Sequence, residues 1–149
     1  MFRLADIDDL PTLGRLRWNF VKEEQSVSQS LDEFVDRFVE WCKSNPHCFH
    51  FIAEEKDKII AMVSVVIVDA IPRPLQSNQP IGYLTNTYTI PEYRNKGIGT
   101  GLLNFVKQWA TQEHNAETVI VWPSEKSISF YKRAGFDDRN DILELVLRE

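Results

Sequence analysis

Apolar residues recur along this chain at two spacings, one close to four and one close to two, and the spacing changes from segment to segment. Behind Asp8, a plausible N-cap, Leu10, Leu13, Leu16 and Phe20 share one helical face, and Pro11 is tolerated because a first turn has no internal N–H bond to lose. Ser30-Leu31-Asp32-Glu33 has the form of a capping box and opens a second helix. Its stripe is Leu31, Phe34, Val35, Phe38 and Cys42, and Asn45-Pro46 stops it. Ile98, Leu102, Phe105 and Trp109 lie on one face of a third helix. Ser124 to Ala134 reads as a short fourth, with Gly135 placed to be its left-handed C-terminal cap.

Between these stand strand patterns. Phe2 to Ala5 is a short one, Cys48 to Glu54 a second, and Ile59 to Val68, rich in β-branched residues, reads as a central strand buried on both faces. The tight Lys56-Asp57-Lys58 connection predicts that the last two form an antiparallel hairpin. Ile81 to Ile90, closed by Pro91, Glu117 to Trp122 and Leu143 to Leu147 complete the set, the last closing the sheet. Three prolines make Ile71 to Pro80 a loop. No repeat or linker interrupts the order, so residues 1–149 read as one α/β domain with a mixed sheet.

Composition narrows the function classes. The 149 residues are 43% hydrophobic and 26% charged, which fits one globular domain and argues against disorder. The longest apolar run, Ile59 to Val68 broken only by Ser64, is too short to cross a bilayer. The N-terminus has no charged-then-apolar leader pattern, and a cytoplasmic location without membrane association is the expectation. A net charge of −5 argues against a nucleic-acid surface, which needs a basic stripe. Cys42 and Cys48 are expected as reduced thiols, and with His47, His50 and His114 they form no metal-ligand spacing, so no metal is expected.

The chemistry concentrates between Tyr88 and Gly101. There a strand ends, a basic glycine-containing loop follows, and the clearest helix begins. Free N–H groups and the helix dipole make such a junction an anion site, and Arg94 and Lys96 add charge. The G-x-x-x-x-G-K-[ST] spacing of a nucleoside-triphosphate loop is absent, and Gly97-x-Gly99-x-Gly101 puts its third glycine one place early for a dinucleotide fingerprint.

Arg94-Asn95-Lys96-Gly97-Ile98-Gly99, preceded by Pro91, resembles the R-x-x-G-x-G coenzyme A pyrophosphate loop of the GNAT acetyltransferases. Ser124-x-x-Ser127-x-x-Phe130-Tyr131-Lys132-Arg133-Ala134-Gly135-Phe136 resembles the second signature of that family, N-x-x-A-x-x-F-Y-x-x-x-G-F. The resemblance implies a single GNAT-like α/β domain, with a mixed, mostly antiparallel sheet of six to seven strands flanked by about four helices. It implies acetyl-CoA as cosubstrate, a small-molecule or protein amine as acceptor, and an N-acetyltransferase working by direct transfer. A homodimer is left open.

Carried over by position, it implies that backbone groups of Tyr88 and Thr89 meet the pantetheine arm and that N–H groups of Asn95, Lys96, Gly97, Ile98, Gly99 and Thr100 hold the pyrophosphate. Tyr131 is implied at the thioester sulfur, where a phenol can reprotonate the leaving thiolate. A β-branched residue at Gly97 or Gly99 is then expected to weaken coenzyme binding and spare the fold. Ser124 and Ser127 depart from the family's asparagine and alanine, although a serine can still cap the helix and bond the coenzyme. The strand Ile81 to Ile90 has no carboxylate where many relatives carry a glutamate base, leaving Glu23, Glu24 or a water relay to take the amine proton. The acceptor cleft is implied near Trp18, Phe20, Glu23, Glu24, Trp41, Arg73 and Gln76. A transferase of another acyl-CoA and a non-catalytic acyl-CoA sensor are the alternatives.

Overall fold

The long β-branched run becomes the middle of a five-stranded sheet in the computed structural model, which describes residues 1–74, 79–138 and 142–148. The strands, in sheet order as in chain order, are β1 (Phe2–Leu4), β2 (Cys48–Glu55), β3 (Lys58–Val68), β4 (Ile81–Thr89) and β5 (Thr118–Val121). β1 to β4 are antiparallel neighbours, and β5 joins β4 in parallel. The predicted hairpin is β2–β3, whose turn residues Lys56 and Asp57 both take positive φ. The helices are α1 (Leu10–Glu24), α2 (Leu31–Ser44), α3 (Ile98–His114) and α4 (Ile128–Arg133).

Alternation along β2 sorts the helices into two layers. Phe49 and Phe51 meet Trp109 of α3, while His50 between them meets Phe38 of α2. Tyr88 of β4 stacks on Phe20, which puts α1 on the same side as α2. β3 is therefore covered on both faces, and Ile59 to Val65 are all buried. This is why the run shows no period-two polarity.

Three expectations need correction. The sheet has five strands among the described residues, not six or seven. Residues 142–148 form no strand, and Leu143, Leu145 and Leu147 are exposed. The apolar pattern there favours extended backbone, but a strand also needs an edge in register, and β5 offers only four residues. In this region Trp122 Nε1 donates to Glu144 Oε2 at 2.8 Å. Asp8 is not the first cap either. Asp6 caps a 3₁₀ turn over Ile7–Asp9, with Asp9 bonding back to Asp6 N–H, and α1 follows directly. Ser30 Oγ does accept from Glu33 N–H at 3.2 Å, which is one half of the expected box.

Candidate active site

β4 and β5 stay paired only from Ile81–Thr118 to Leu84–Val121, while β4 runs on to Thr89. The parting coincides with an irregularity on the β3 side. Met62 stands opposite Tyr88 and Ser64 opposite Thr85, so Asn86 and Thr87 together oppose Val63. An extra residue of this kind bends and twists its strand. Asn86 takes φ +57°, a conformation asparagine tolerates better than most residues. Its amide is held by Ser64 Oγ at 3.2 Å and Met62 Sδ at 3.6 Å, and His50 Nδ1 lies 2.7 Å from the same hydroxyl. Burial pushes the His50 imidazole down, which favours its neutral form.

The result is a cleft of about 790 Å³ walled by the free stretch of β4, the end of β5, the start of α3, and α4. Pro91–Tyr93 form a 3₁₀ turn at its mouth. Asn95 and Gly97 follow at φ +61° and +78°, and α3 starts with no side-chain cap. Its first internal bond, Gly101 N–H to the Gly97 carbonyl at 3.0 Å, leaves the N–H groups of Ile98, Gly99 and Thr100 without helical partners. Only a residue at ease in the left-handed region suits position 97. Gly101 is needed for another reason, since a Cβ there would run into the Phe2 ring.

Of the residues expected at the coenzyme, Tyr88, Thr89, Arg94, Asn95, Gly97, Ile98, Gly99, Thr100 and Ser124 all line this cleft, as does Tyr131. Lys96 does not: its ammonium lies over the Tyr93 ring, 5.3 Å from the centroid. The Arg94 guanidinium is engaged within the chain. Its Nε donates to the Thr89 carbonyl at 2.8 Å and its Nη2 to both oxygens of Glu23 at 2.9 and 3.0 Å. Ser124 makes no side-chain cap, and its hydroxyl bonds Ser127 Oγ at 3.0 Å instead.

Register separates Tyr88 from Thr89. Ile90 N–H bonds the Ile60 carbonyl, and in an antiparallel ladder alternate residues turn their main chain to opposite sides. Tyr88, opposite Met62, therefore directs its backbone to β3, and Thr89 directs its own into the cleft. Tyr88 contributes its side chain. The hydroxyl donates to Glu23 Oε1 at 2.7 Å, and burial together with that carboxylate pushes the phenol up to about 12. Burial also raises Glu23, but the bonds from Tyr88 and Arg94 outweigh it and hold the carboxyl below its usual range.

Tyr131 is buried on α4 between Phe130 and Phe136. Burial pushes its phenol up, opposed by the neighbouring Thr87 hydroxyl. That contact falls short of a well-formed hydrogen bond, because Thr87 Oγ1 is buried without a partner of good geometry. α4 ends as expected at Gly135, φ +100°, with Phe136 N–H on the Tyr131 carbonyl at 3.0 Å.

On the acceptor side Phe20, Glu23 and Glu24 line the cleft, whereas Trp18, Trp41 and Arg73 do not, and Gln76 lies outside the described residues. Arg17 and Asn86, which no motif marks as ligands, also line it. Arg17 sits one residue past the apolar Leu16 and one turn before Phe20, at the border of the α1 stripe. An asparagine inside a strand pattern is the cue for a bulge. A second hollow, of about 850 Å³, lies across Glu23 between α1 and the β2–β3 turn. Its wall mixes Asp9, Lys22, Asp57 and Lys58, and it contains neither the glycine loop nor α4.

Comparison with known proteins agrees with the architecture. The family model of the Acetyltransferase (GNAT) family matches residues 15–136. A predicted acetyltransferase from Clostridium acetobutylicum, crystallised with acetyl-CoA, is 30% identical over 99% of this chain and 96% of its own, with a TM-score of 0.76. The same fold recurs in a GCN5-related N-acetyltransferase from Ralstonia eutropha, 24% identical over 98% of this chain and 97% of its own, with a TM-score of 0.73. It recurs again in glucosamine-6-phosphate N-acetyltransferase from Arabidopsis thaliana, 19% identical over 99% of this chain and 98% of its own, at a TM-score of 0.69. No curated protein gives a significant match. With the splayed strands, the glycine loop and the α4 tyrosine in one cleft, and the family model spanning most of its length, the chain belongs to the GNAT acetyltransferase family.

Proposed function

We propose that this acyltransferase uses acetyl-CoA and passes the acetyl group directly to a primary amine. The observation that carries the reading is the opposition of the uncapped α3 start and Tyr131 across one gap in the sheet. In it the N–H groups of Ile98, Gly99 and Thr100 bind the pyrophosphate, with the Asn95–Gly97 turn directing backbone towards it. Lys126 and Arg133, which also line the cleft, add positive charge there. Thr89 N–H, facing the gap, orients the acetyl carbonyl and stabilises the oxyanion as the amine nitrogen adds to the carbon.

Collapse of that adduct forms the amide and breaks the C–S bond. The sulfur leaves as a thiolate and takes the Tyr131 proton. Burial raises the phenol, which keeps its proton in place until the thiolate forms. The amine's own proton must also go. Glu23 is a poor acceptor for it, since Arg94 and Tyr88 already occupy its oxygens and favour its ionised form. The proton leaves through water or through Glu24, which lines the same cleft.

The test is Tyr131→Phe, followed by thiol release from acetyl-CoA on an amine panel and by calorimetry of coenzyme binding. The expected result is a loss of turnover of about 10² to 10⁴ with nearly unchanged coenzyme affinity. Full activity in that protein, with chemistry limiting the rate, would remove Tyr131 from the mechanism. Coenzyme binding by the unaltered protein without turnover on any amine would point to a sensor.

A further inference from the structure

Arg17 is half-buried on the wall of the cleft, and its charge is unanswered. Among the described residues the other partly buried arginine, Arg3, holds Asp9 at 2.7 Å and Glu54 at 3.3 Å, and Arg94 holds Glu23 at 2.9 Å. No carboxylate among the described residues lies within ion-pairing distance of Arg17. Its contacts are a long bond from Nη1 to Asn86 Oδ1, 3.4 Å, and the Phe20 ring, 5.6 Å from Cζ to the centroid. Most of its N–H donors have no partner among the described residues. Burial works against its charge, and the Tyr83 hydroxyl offsets this only in part. A guanidinium kept in such a position without a counter-ion is an incomplete pair.

Its place along β4 says which ligand would complete it. Asn86, which Arg17 touches, adjoins Thr87 in the chain, and Thr87 neighbours Tyr131 in the same cleft. The glycine loop lies beyond Thr89, at the other end of the unpaired stretch. Arg17 thus faces the acceptor's side of the reacting centre, away from the pyrophosphate. Asn86 is itself fixed by Ser64 and Met62, so it steadies the guanidinium it touches. Resting on the acetyltransferase reading above, we propose that the acceptor is an amine that also bears an anionic group, a carboxylate or a phosphate, and that this group docks on Arg17. A guanidinium takes either one through paired N–H bonds, and binding would fix the distance and direction from which the amine reaches the acetyl carbon.

The experiment is thiol release from acetyl-CoA on matched pairs of amines: glycine against glycinamide, phenylalanine against its amide, phosphoethanolamine against ethanolamine. In the unaltered protein kcat/KM is expected to be about ten- to a hundredfold higher for the anionic member of at least one pair, and which pairs respond separates carboxylate from phosphate. In Arg17→Gln that preference should collapse, while acetyl-CoA affinity by calorimetry stays close to that of the unaltered protein. Arg17→Lys should restore part of the preference.

Equal rates within every pair, or a preference that survives Arg17→Gln, would overturn the proposal while turnover itself upheld the transferase reading. A parallel loss of coenzyme affinity in Arg17→Gln would reassign the side chain to the coenzyme and overturn it as well. If acetyl-CoA binds and no amine of either kind releases thiol, both readings fall together. The paired comparison in the unaltered protein holds even where an Arg17 variant folds poorly.

Discussion

Glu23 receives a phenol and a guanidinium at once, and the consequences can be read by pH. Its carboxyl is held below the ordinary glutamate value of 4.5. A group whose folded pKa is depressed stabilises the fold fully above its unfolded value, and that contribution is lost as the pH falls through the folded one. Denaturation of the unaltered protein should therefore show an acid loss below about pH 4.5 that Glu23→Gln lacks, the two converging at the acid end. The pair is more than a third exposed, so the difference will be small. The same variant tests the proton route: because Glu23 is already engaged, Glu23→Gln should keep the low-pH limb of the rate profile. Disappearance of that limb in Glu23→Gln alone would make Glu23 the base after all. None of this was visible in the sequence. Arg94 stands beside the glycines in the chain, which suggests the phosphate, yet its side chain turns back to a residue seventy-one positions earlier.

Elements were legible where a period could declare itself. The stripe from Ile98 to Trp109 and the β-branched run of β3 both depend on burial against whatever lies opposite, and both appear as read. The segment 143–147 has the same kind of pattern but needs a particular edge at a particular register, which no local pattern encodes. The glycines at the start of α3 make the same point. Sequence gives three alternating glycines, but the structure assigns them different tasks. At Gly97 a Cβ would meet nothing within 4 Å, yet φ is +78°, so Gly97→Val strains the loop by about 1–2 kcal/mol and should weaken acetyl-CoA binding while the fold survives. At Gly101 a Cβ would strike Phe2, so Gly101→Ala should cost about 1–3 kcal/mol in a denaturant titration. Its coenzyme affinity, measured on the folded fraction, should hold. Gly99 is the poorer probe, because its Cβ would press on Phe130 at 3.1 Å and disturb α4 together with the loop.

Taken whole, the molecule is unequal in its two parts. β2 to β4 share long ladders and the buried core, while β5 is tied to β4 by four residue pairs and leads directly to the turn and helix carrying Tyr131. Amide hydrogens of β5 should exchange with solvent sooner than those of β2 and β3, because fewer ladder bonds must break to expose them. Acetyl-CoA would lie between the parting strands and touch both, so it should slow that exchange, and the melting temperature should climb with its concentration. An absence of any such slowing would mean that the ligand leaves the parting strands untied. Lys126 is exposed in the turn before α4, at the cleft wall, and trypsin offers a simple reading of the same tie. Cutting there should slow as acetyl-CoA is added and recover once the coenzyme is removed by dialysis, so that resistance to protease would report how fully the gap is filled.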